Sequence, residues 1–556
     1  MHARRGVRLL VAGALLASPL APTRGAVAGP LRAAGLHALP RLTPTRHDAL
    51  TRALARGSIS RAQYALERAL SLFHPGLVEA RFGAIGRPDP HDATMILRDL
   101  FIRKRQLSGS ELRQANSLLA RPSDRRRDFP GAAKWTVTEA AASPFCSANV
   151  CVHWVDSTAD APPPADVAPA DGIPDWVATT DATLENVWTQ EVTNMGYRAP
   201  ESDSSSRNHG PDGKLDIYLA NLLPDGLFGY CTSDDPKIPP PWDVSAYCVL
   251  DNDYLGYGYT DPEAPLDVTA AHEFFHAVQF AYDAYEDRWM MEATAVWMEG
   301  EVYGAIHDNY AYLPYGPLGA PGVPLDKGGT GLHQYGSWIF FRFLSEYPLL
   351  DGPTIIRDIW DQADGANGGP DLYSTAAIAR AITLQGQSFG NLFATFAEWA
   401  AAPDLQFEEG ADYPAAKVAK TSTLRSSDPS FARTSFVLDH LANAYAVILP
   451  GAGISGTAKL RVSVDGPDAS TGPQASIVIL RKDGTAGYVR LTPNANGNGS
   501  RRVAFGKGTV REVIVILTNA SRRFRNCQPH FATTIWSCSG VPRDDNQTYS
   551  FRAKLV

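Results

Sequence analysis

Ala271-His272-Glu273-Phe274-Phe275-His276-Ala277-Val278-Gln279 is the stretch from which the rest of the chain is read. Residues four apart on an α-helix lie one above the other, so His272 and His276 present both imidazoles from one face. Glu273 is displaced around the helix, yet it can reach a water held near the two rings. Neutral imidazole nitrogens suit Zn²⁺, and zinc with three protein ligands keeps a fourth position open. Phe274, Phe275, Val278 and Ala281 pack the other faces, and Asp267 is expected to cap the helix start. Two surface histidines beside a glutamate would spell the same five residues, so a third ligand has to be found.

A second helical stretch follows, Trp289-Met290-Met291-Glu292-Ala293-Thr294-Ala295-Val296-Trp297-Met298-Glu299. Glu292, Val296, Glu299 and Tyr303 share one face of it. A carboxylate among Trp289, Met290, Met291, Val296 and Trp297 is costly unless it is paired or bound to a metal. The stretch resembles the W-x-x-E-(G/A)-x-A-x-(Y/W)-x-E segment of gluzincins, the group of thermolysin-like and alanyl-aminopeptidase-like zinc peptidases. The resemblance implies that His272, His276 and Glu292 hold zinc, while Glu299 orients a ligating histidine from behind. Metzincins are excluded, because Gln279 and Tyr282 stand where that class has glycine and histidine. Fifteen residues separate His276 from Glu292, fewer than in many gluzincins, so the connecting loop, Tyr282 to Arg288, must be short. The longer run Leu266 to Phe280, with Asp171 to Val177, Asp216 to Leu219, Thr518 to Ser521 and the cysteine-bearing tail, resembles a little-studied group of exported bacterial proteins regarded as metalloproteases.

A peptidase of this kind needs a donor for the oxyanion that forms as the carbonyl is attacked. The stretch Gly331 to Leu344 is the candidate. Its Tyr335 resembles the tyrosine that opens the corresponding helix in aminopeptidase-like relatives, and His333 is the competing choice. The implied chemistry is metal-assisted peptide hydrolysis, with Glu273 moving the proton. No G-x-M-E-N segment is present to hold a free amino terminus, which favours an endopeptidase acting on proteins or peptides. The alternative is a non-catalytic, zinc-containing cell-surface or matrix-binding protein, but a structural site would not need Glu273. Asp166, Asp171 and Asp175, or Asp212 and Asp216, could bind Ca²⁺, although turn and helix-capping roles explain them equally. No G-x-S-x-G and no phosphate-cradling loop occurs.

The surrounding chain is consistent with export. Arg4, Arg5 and Arg8 precede the apolar run Leu9 to Leu20 and the small residues ending at Ala26-Val27-Ala28, so residues 1–28 read as a signal peptide. The run falls short of the roughly 20 residues a membrane anchor requires. Arg4-Arg5 also resembles a twin-arginine signal, though a charged leader alone accounts for it. No stable membrane insertion is expected once the leader is removed. The six cysteines form three sequence-local pairs, Cys146/Cys151, Cys231/Cys248 and Cys527/Cys538, and disulfides are the expected outcome. A formal net charge of -8 argues against nucleic-acid binding.

The expected architecture is multidomain. Residues 29–128 read as a basic helical propeptide, or an accessory helical region, closing at Arg125-Arg126-Arg127; Ser58 or Ser60 opens one helix, and Ser108 with Glu111 forms a capping box. Residues 132–415 read as an α+β, zincin-like metalloprotease domain. Residues 425–556 alternate short β-type runs with Gly, Asn and Asp clusters, the pattern of an all-β sandwich.

Overall fold

Ser60 has extended backbone and opens the helix Arg61–Phe73 with a capping box: its hydroxyl accepts from the Gln63 N–H, and the Gln63 side chain accepts from the Ser60 N–H. This computed structural model describes residues 49–556 apart from 84, 87, 125–128, 238, 330 and 529–534. The expected signal peptide and Arg125-Arg126-Arg127 lie outside the described residues. The capping box expected at Ser108 does not form. Glu111 instead accepts from Gln63 Nε2 at 2.8 Å, a tertiary bond that competes successfully with the local one. The helices Ala93–Arg103 and Gly109–Leu118 complete the N-terminal helical region.

Five strands form the first sheet: β1 (Phe145–Cys146), β2 (Val150–His153), β3 (Leu215–Ala220), β4 (Gly229–Thr232) and β5 (Tyr247–Asp251), in the order β1-β2-β3-β5-β4. β2, β3 and β5 run parallel, and an antiparallel strand closes each edge. Covered on both faces, β3 is buried along its whole length, and its one charged residue, Asp216, is paired with Arg121 and His153. The helix Asp175–Trp188 packs on β2 and continues as a π-helical turn, Thr189–Asn194. The long helix Glu263–Asp283 lies against β4 and β5, and four residues, 284–287, connect it to the helix Arg288–Tyr303. Asp267 does not cap the first of these helices, because the helix starts four residues earlier; its carboxylate accepts from Thr183 Oγ1 at 3.3 Å.

The C-terminal part is built of two facing sheets. Its strands are β6 (Lys420–Leu424), β7 (Thr434–Leu438), β8 (Ala442–Pro450), β9 (Lys459–Asp465), β10 (Pro473–Arg481) and β11 (Ala486–Leu491). They continue with β12 (Asn498–Ala504), β13 (Val510–Asn519), the short pair β14 (Phe524–Arg525) and β15 (Val541–Pro542), and β16 (Gln547–Leu555). One sheet has the order β11-β10-β13-β8-β6 and the other β12-β9-β16-β7. Ile448, Val462, Ile477, Phe505, Val515 and Phe551 belong to the core between them. β9 alternates buried and exposed residues, as a strand with one wet face should. β10 is buried almost throughout because the helix Phe389–Ala401 covers its outer face. All three local cysteine pairs are disulfide-bonded.

Two buried ionic groups tie these parts together. Arg121, 0% exposed, pairs with Asp203 at 2.7 Å, with Asp234 at 3.0 Å and with Asp216, joining the N-terminal region to the sheet. Removing the guanidinium leaves Asp203 and Asp216 buried without their main counter-charge. Arg121→Met is therefore expected to lower unfolding free energy by about 3–5 kcal/mol, read by denaturant titration. At the sandwich, His440 lies between Asp326, at 2.9 Å, and Asp545, at 2.6 Å. Burial alone would depress this imidazole, but the two carboxylates prevail and push it up to about 10. A raised folded-state value stabilises fully below the ordinary 6.5, weakens as pH climbs, and is lost above about 10. The melting-temperature gap between wild type and His440→Gln should narrow steadily between about pH 6 and pH 10.

Candidate metal centre

The helix pair carries the three sequence-predicted ligands into one buried spot. His276 Nε2 lies 3.1 Å from His272 Nε2, and Glu292 Oε2 lies 3.4 Å from the first and 3.7 Å from the second in the order His272, His276. Ligand atoms around a tetrahedral zinc stand about 3.3 Å apart, given zinc–nitrogen and zinc–oxygen bonds near 2.0–2.1 Å. The triangle therefore has the right size for one small cation.

Electrostatics make the same point. Glu292 is wholly buried, and neither carboxylate oxygen makes a hydrogen bond. Burial would raise its protonation midpoint, yet the two imidazoles hold it down at about 2, so it stays charged. Burial works against a charge on His272, but Glu292 and Glu299 drive the ring strongly toward the cationic form. A site that gathers carboxylates around an imidazole in this way favours positive charge, whether a protonated ring or a bound cation. The only other metal-compatible grouping among the described residues, Cys146, Cys151 and Asp212, is spent on a disulfide.

The far nitrogen of each ring is also held. His272 Nδ1 meets Glu299 Oε1 at 2.7 Å, and burial raises the Glu299 carboxyl to about 7. His276 Nδ1 meets Gln279 Oε1 at 2.7 Å. The Gln279 amide donates in turn to the Met291 carbonyl at 2.9 Å and Thr294 Oγ1 at 3.1 Å, which fixes which way it points. The residue that excludes the metzincin pattern thus orients the His276 ring here. Its position one turn after His276 was a readable signal, but its role was not foreseen.

Glu273 faces strand β4 across a narrow gap. A Cβ on Gly229 would come within 2.9 Å of Thr269 Cγ2 and 3.2 Å of Glu273 Cγ, so only glycine lets this strand sit so close. Tyr335 is 2% exposed, and its ring stacks at 6.4 Å from that of His272. Burial, then the nearby carboxylates Glu292 and Asp92, keep its hydroxyl protonated and able to donate. His333 is not brought to the centre. Its two ring nitrogens lie 2.9 Å from the carbonyls of Tyr315 and Pro324, so it braces the preceding loop.

The aspartates considered for calcium have other partners. Asp166 accepts from the backbone of Asp171 and Gly172, Asp175 from Val167 and Ala168, and Asp171 from Ile173. Asp212 pairs with Lys214 at 2.6 Å, while Asp216 sits between Arg121 and His153.

A segment distant in sequence covers the centre. Asp89 caps the short turn Pro90–Asp92 that leads into the helix Ala93–Arg103. The hydroxyl of Thr94 donates to Glu273 Oε2 at 2.9 Å and accepts from the Cys231 N–H of β4, also at 2.9 Å. The Tyr335 hydroxyl donates to the His91 carbonyl at 2.6 Å, and Gln334 Nε2 donates to Asp92 Oδ1 at 2.8 Å. Nothing local in the sequence announces these bonds, which span 137 to 244 positions.

No protein family's model matches the sequence, and no curated protein matches it. Among solved structures, the chain is similar to the pre-peptidase C-terminal domain of collagenase from Bacillus anthracis, at 11% identity and TM-score 0.14, covering 25% of this chain and 97% of that one. It is also similar to a Yersinia pseudotuberculosis-derived mitogen, at 11% identity and TM-score 0.14, covering 23% and 86%. CorA, a surface-associated copper-binding protein of Methylomicrobium album BG8, matches at 10% identity and TM-score 0.14, covering 25% and 98%. At such scores these likenesses decide nothing about fold or chemistry.

The geometry of the centre does lead to a measurement. Replacing a residue that orients a metal-binding histidine typically weakens metal affinity about 10–100-fold. Gln279→Leu should do so for zinc, measured by competition against a calibrated chelator.

Proposed function

We propose that this chain is an exported zinc-dependent endopeptidase, with His272, His276 and Glu292 as metal ligands. The observation that carries the reading is the buried, hydrogen-bond-free Glu292 carboxylate facing two imidazole nitrogens at 3.4 and 3.7 Å. When bound there, zinc would acidify a water and polarise a peptide carbonyl. Glu273 takes the proton of the attacking water on its carboxylate and delivers it to the leaving amine. The Tyr335 hydroxyl, kept protonated by its surroundings, donates to the oxygen on which charge develops. Glu299 and Gln279 hold the two imidazoles in the tautomer that turns Nε2 inward. Strand β4, at the sheet edge, would offer backbone groups such as the Cys231 N–H to an extended peptide once Thr94 is displaced.

The contacts of Thr94 and His91 support reading the N-terminal region as a cover over this site, in line with a propeptide. Three disulfides suit an oxidising, extracellular setting, and no helix among the described residues is long and apolar enough to cross a membrane.

Glu273→Gln keeps the size of the side chain but cannot accept a proton. It should retain about one zinc per chain and lose cleavage by at least about 100-fold, the usual contribution of a general base. Mass-spectrometric mapping of cuts in an unfolded protein substrate, alongside zinc analysis, checks both. Zinc without cuts in the wild type, before and after limited proteolysis, would favour a zinc-containing binding protein.

A further inference from the structure

Arg288 and Gln334 each adjoin a residue of the proposed reaction centre. Arg288 lies one helical turn before Glu292 on the same face, and Gln334 immediately precedes Tyr335. Between them sits the carboxylate of Asp92, 0% exposed, bonded to Gln334 Nε2 at 2.8 Å and lying 3.6 Å from Arg288 Nη2. The same Arg288 approaches Asp99 at 3.7 Å. Both acidic partners belong to the covering segment.

The fit between occupant and subsite is loose. Asp92 Oδ2 is buried without a hydrogen bond, and so are Nε and Nη2 of Arg288 and Oε1 of Gln334. A guanidinium with unused donors, held at a fixed place beside a metal centre, is a receptor for a carboxylate. The backbone gives the register. His91 is the residue whose carbonyl accepts the Tyr335 hydroxyl, and Asp92 is the residue that follows it.

We propose that Arg288 and Gln334 form a subsite for an acidic side chain, namely that of the substrate residue directly after the cleaved bond. The inference rests on the peptidase reading and adds its substrate class. Asp92 occupies the subsite in the covered form; with Asp92 and Asp99 displaced together, Arg288 loses both of its ion-pair partners and faces an incoming peptide. Because the aspartate stops 3.6 Å short of the guanidinium, glutamate, one methylene longer, fits better than aspartate. Arg288 is a specificity residue, and it takes no part in moving protons.

Two measurements test this on the full-length, zinc-loaded chain, before and after limited proteolysis. In a peptide library varied after the cut, glutamate should exceed glutamine by about 10–100-fold, the range for a charge-assisted contact. Arg288→Met or Gln334→Leu should shrink that ratio, and Arg288→Glu should turn it toward lysine. Each ratio is internal to one variant, so reduced folding of that variant does not mimic the effect. In hydrogen–deuterium exchange, Asp92→Lys should expose residues 89–103, while Asp92→Glu should not. Cuts that favour apolar residues and ignore Arg288, or unchanged exchange in Asp92→Lys, would overturn the subsite while leaving the peptidase reading standing. No cuts by any preparation would remove that reading, and the subsite with it.

Discussion

The Glu292 carboxylate is buried, charged and without a hydrogen bond, and the arrangement of the two long helices answers to it. An ion in such surroundings costs several kcal/mol unless opposite charge lies against it. Two imidazoles from the neighbouring helix lie closest, and one of them is backed by a second buried carboxylate, Glu299. The negative charge thus exceeds what two rings can balance while remaining neutral. The centre therefore favours positive charge where the two helices face each other, and His272 is driven toward its cationic form there.

Around that centre the sheet supplies rigidity, and its edge strand β4 is covered by the helix that carries Thr94. β4 is fastened to β5 by the Cys231–Cys248 disulfide and by its ladder, so the strand that passes Glu273 cannot drift from it. Gly229 lets the strand come close, and the cost of glycine in a strand is accepted where an approach of this kind is needed. The sandwich stands behind as a separately cored layer, joined through the buried contact of His440 with Asp326.

Periodicity and spacing made much of this legible. The helix of residues 263–283, the strands from Lys459 onward and the cysteine pairs are local patterns, and local patterns survive in a single sequence. The convergence of His272, His276, Glu292 and Glu299 was readable because i, i+4 geometry and a known helical segment encode it. The failures have one physical cause, competition from distant partners. Asp267 and Glu111 look like helix-start residues, yet Thr183 and Gln63 engage them across the fold. His333 competes with Tyr335 in the sequence, and the loop carbonyls at its two nitrogens, with the Tyr335 ring stacked on His272, separate them. Thr94, Asp92 and Arg288 carried no local signal at all.

Arg121 bears on what can become of the N-terminal helices after the backbone is cut. Its guanidinium is enclosed by Asp203, Asp216 and Asp234, all contributed by the later part of the chain. Pulling it out would leave Asp203 and Asp216 buried without their guanidinium, with only His153 beside Asp216. A nick after Asp124 would therefore yield two pieces that stay together as a non-covalent heterodimer. Separating the pieces then becomes a matter of dissociation, and its pace is set by that ionic knot rather than by the first cut.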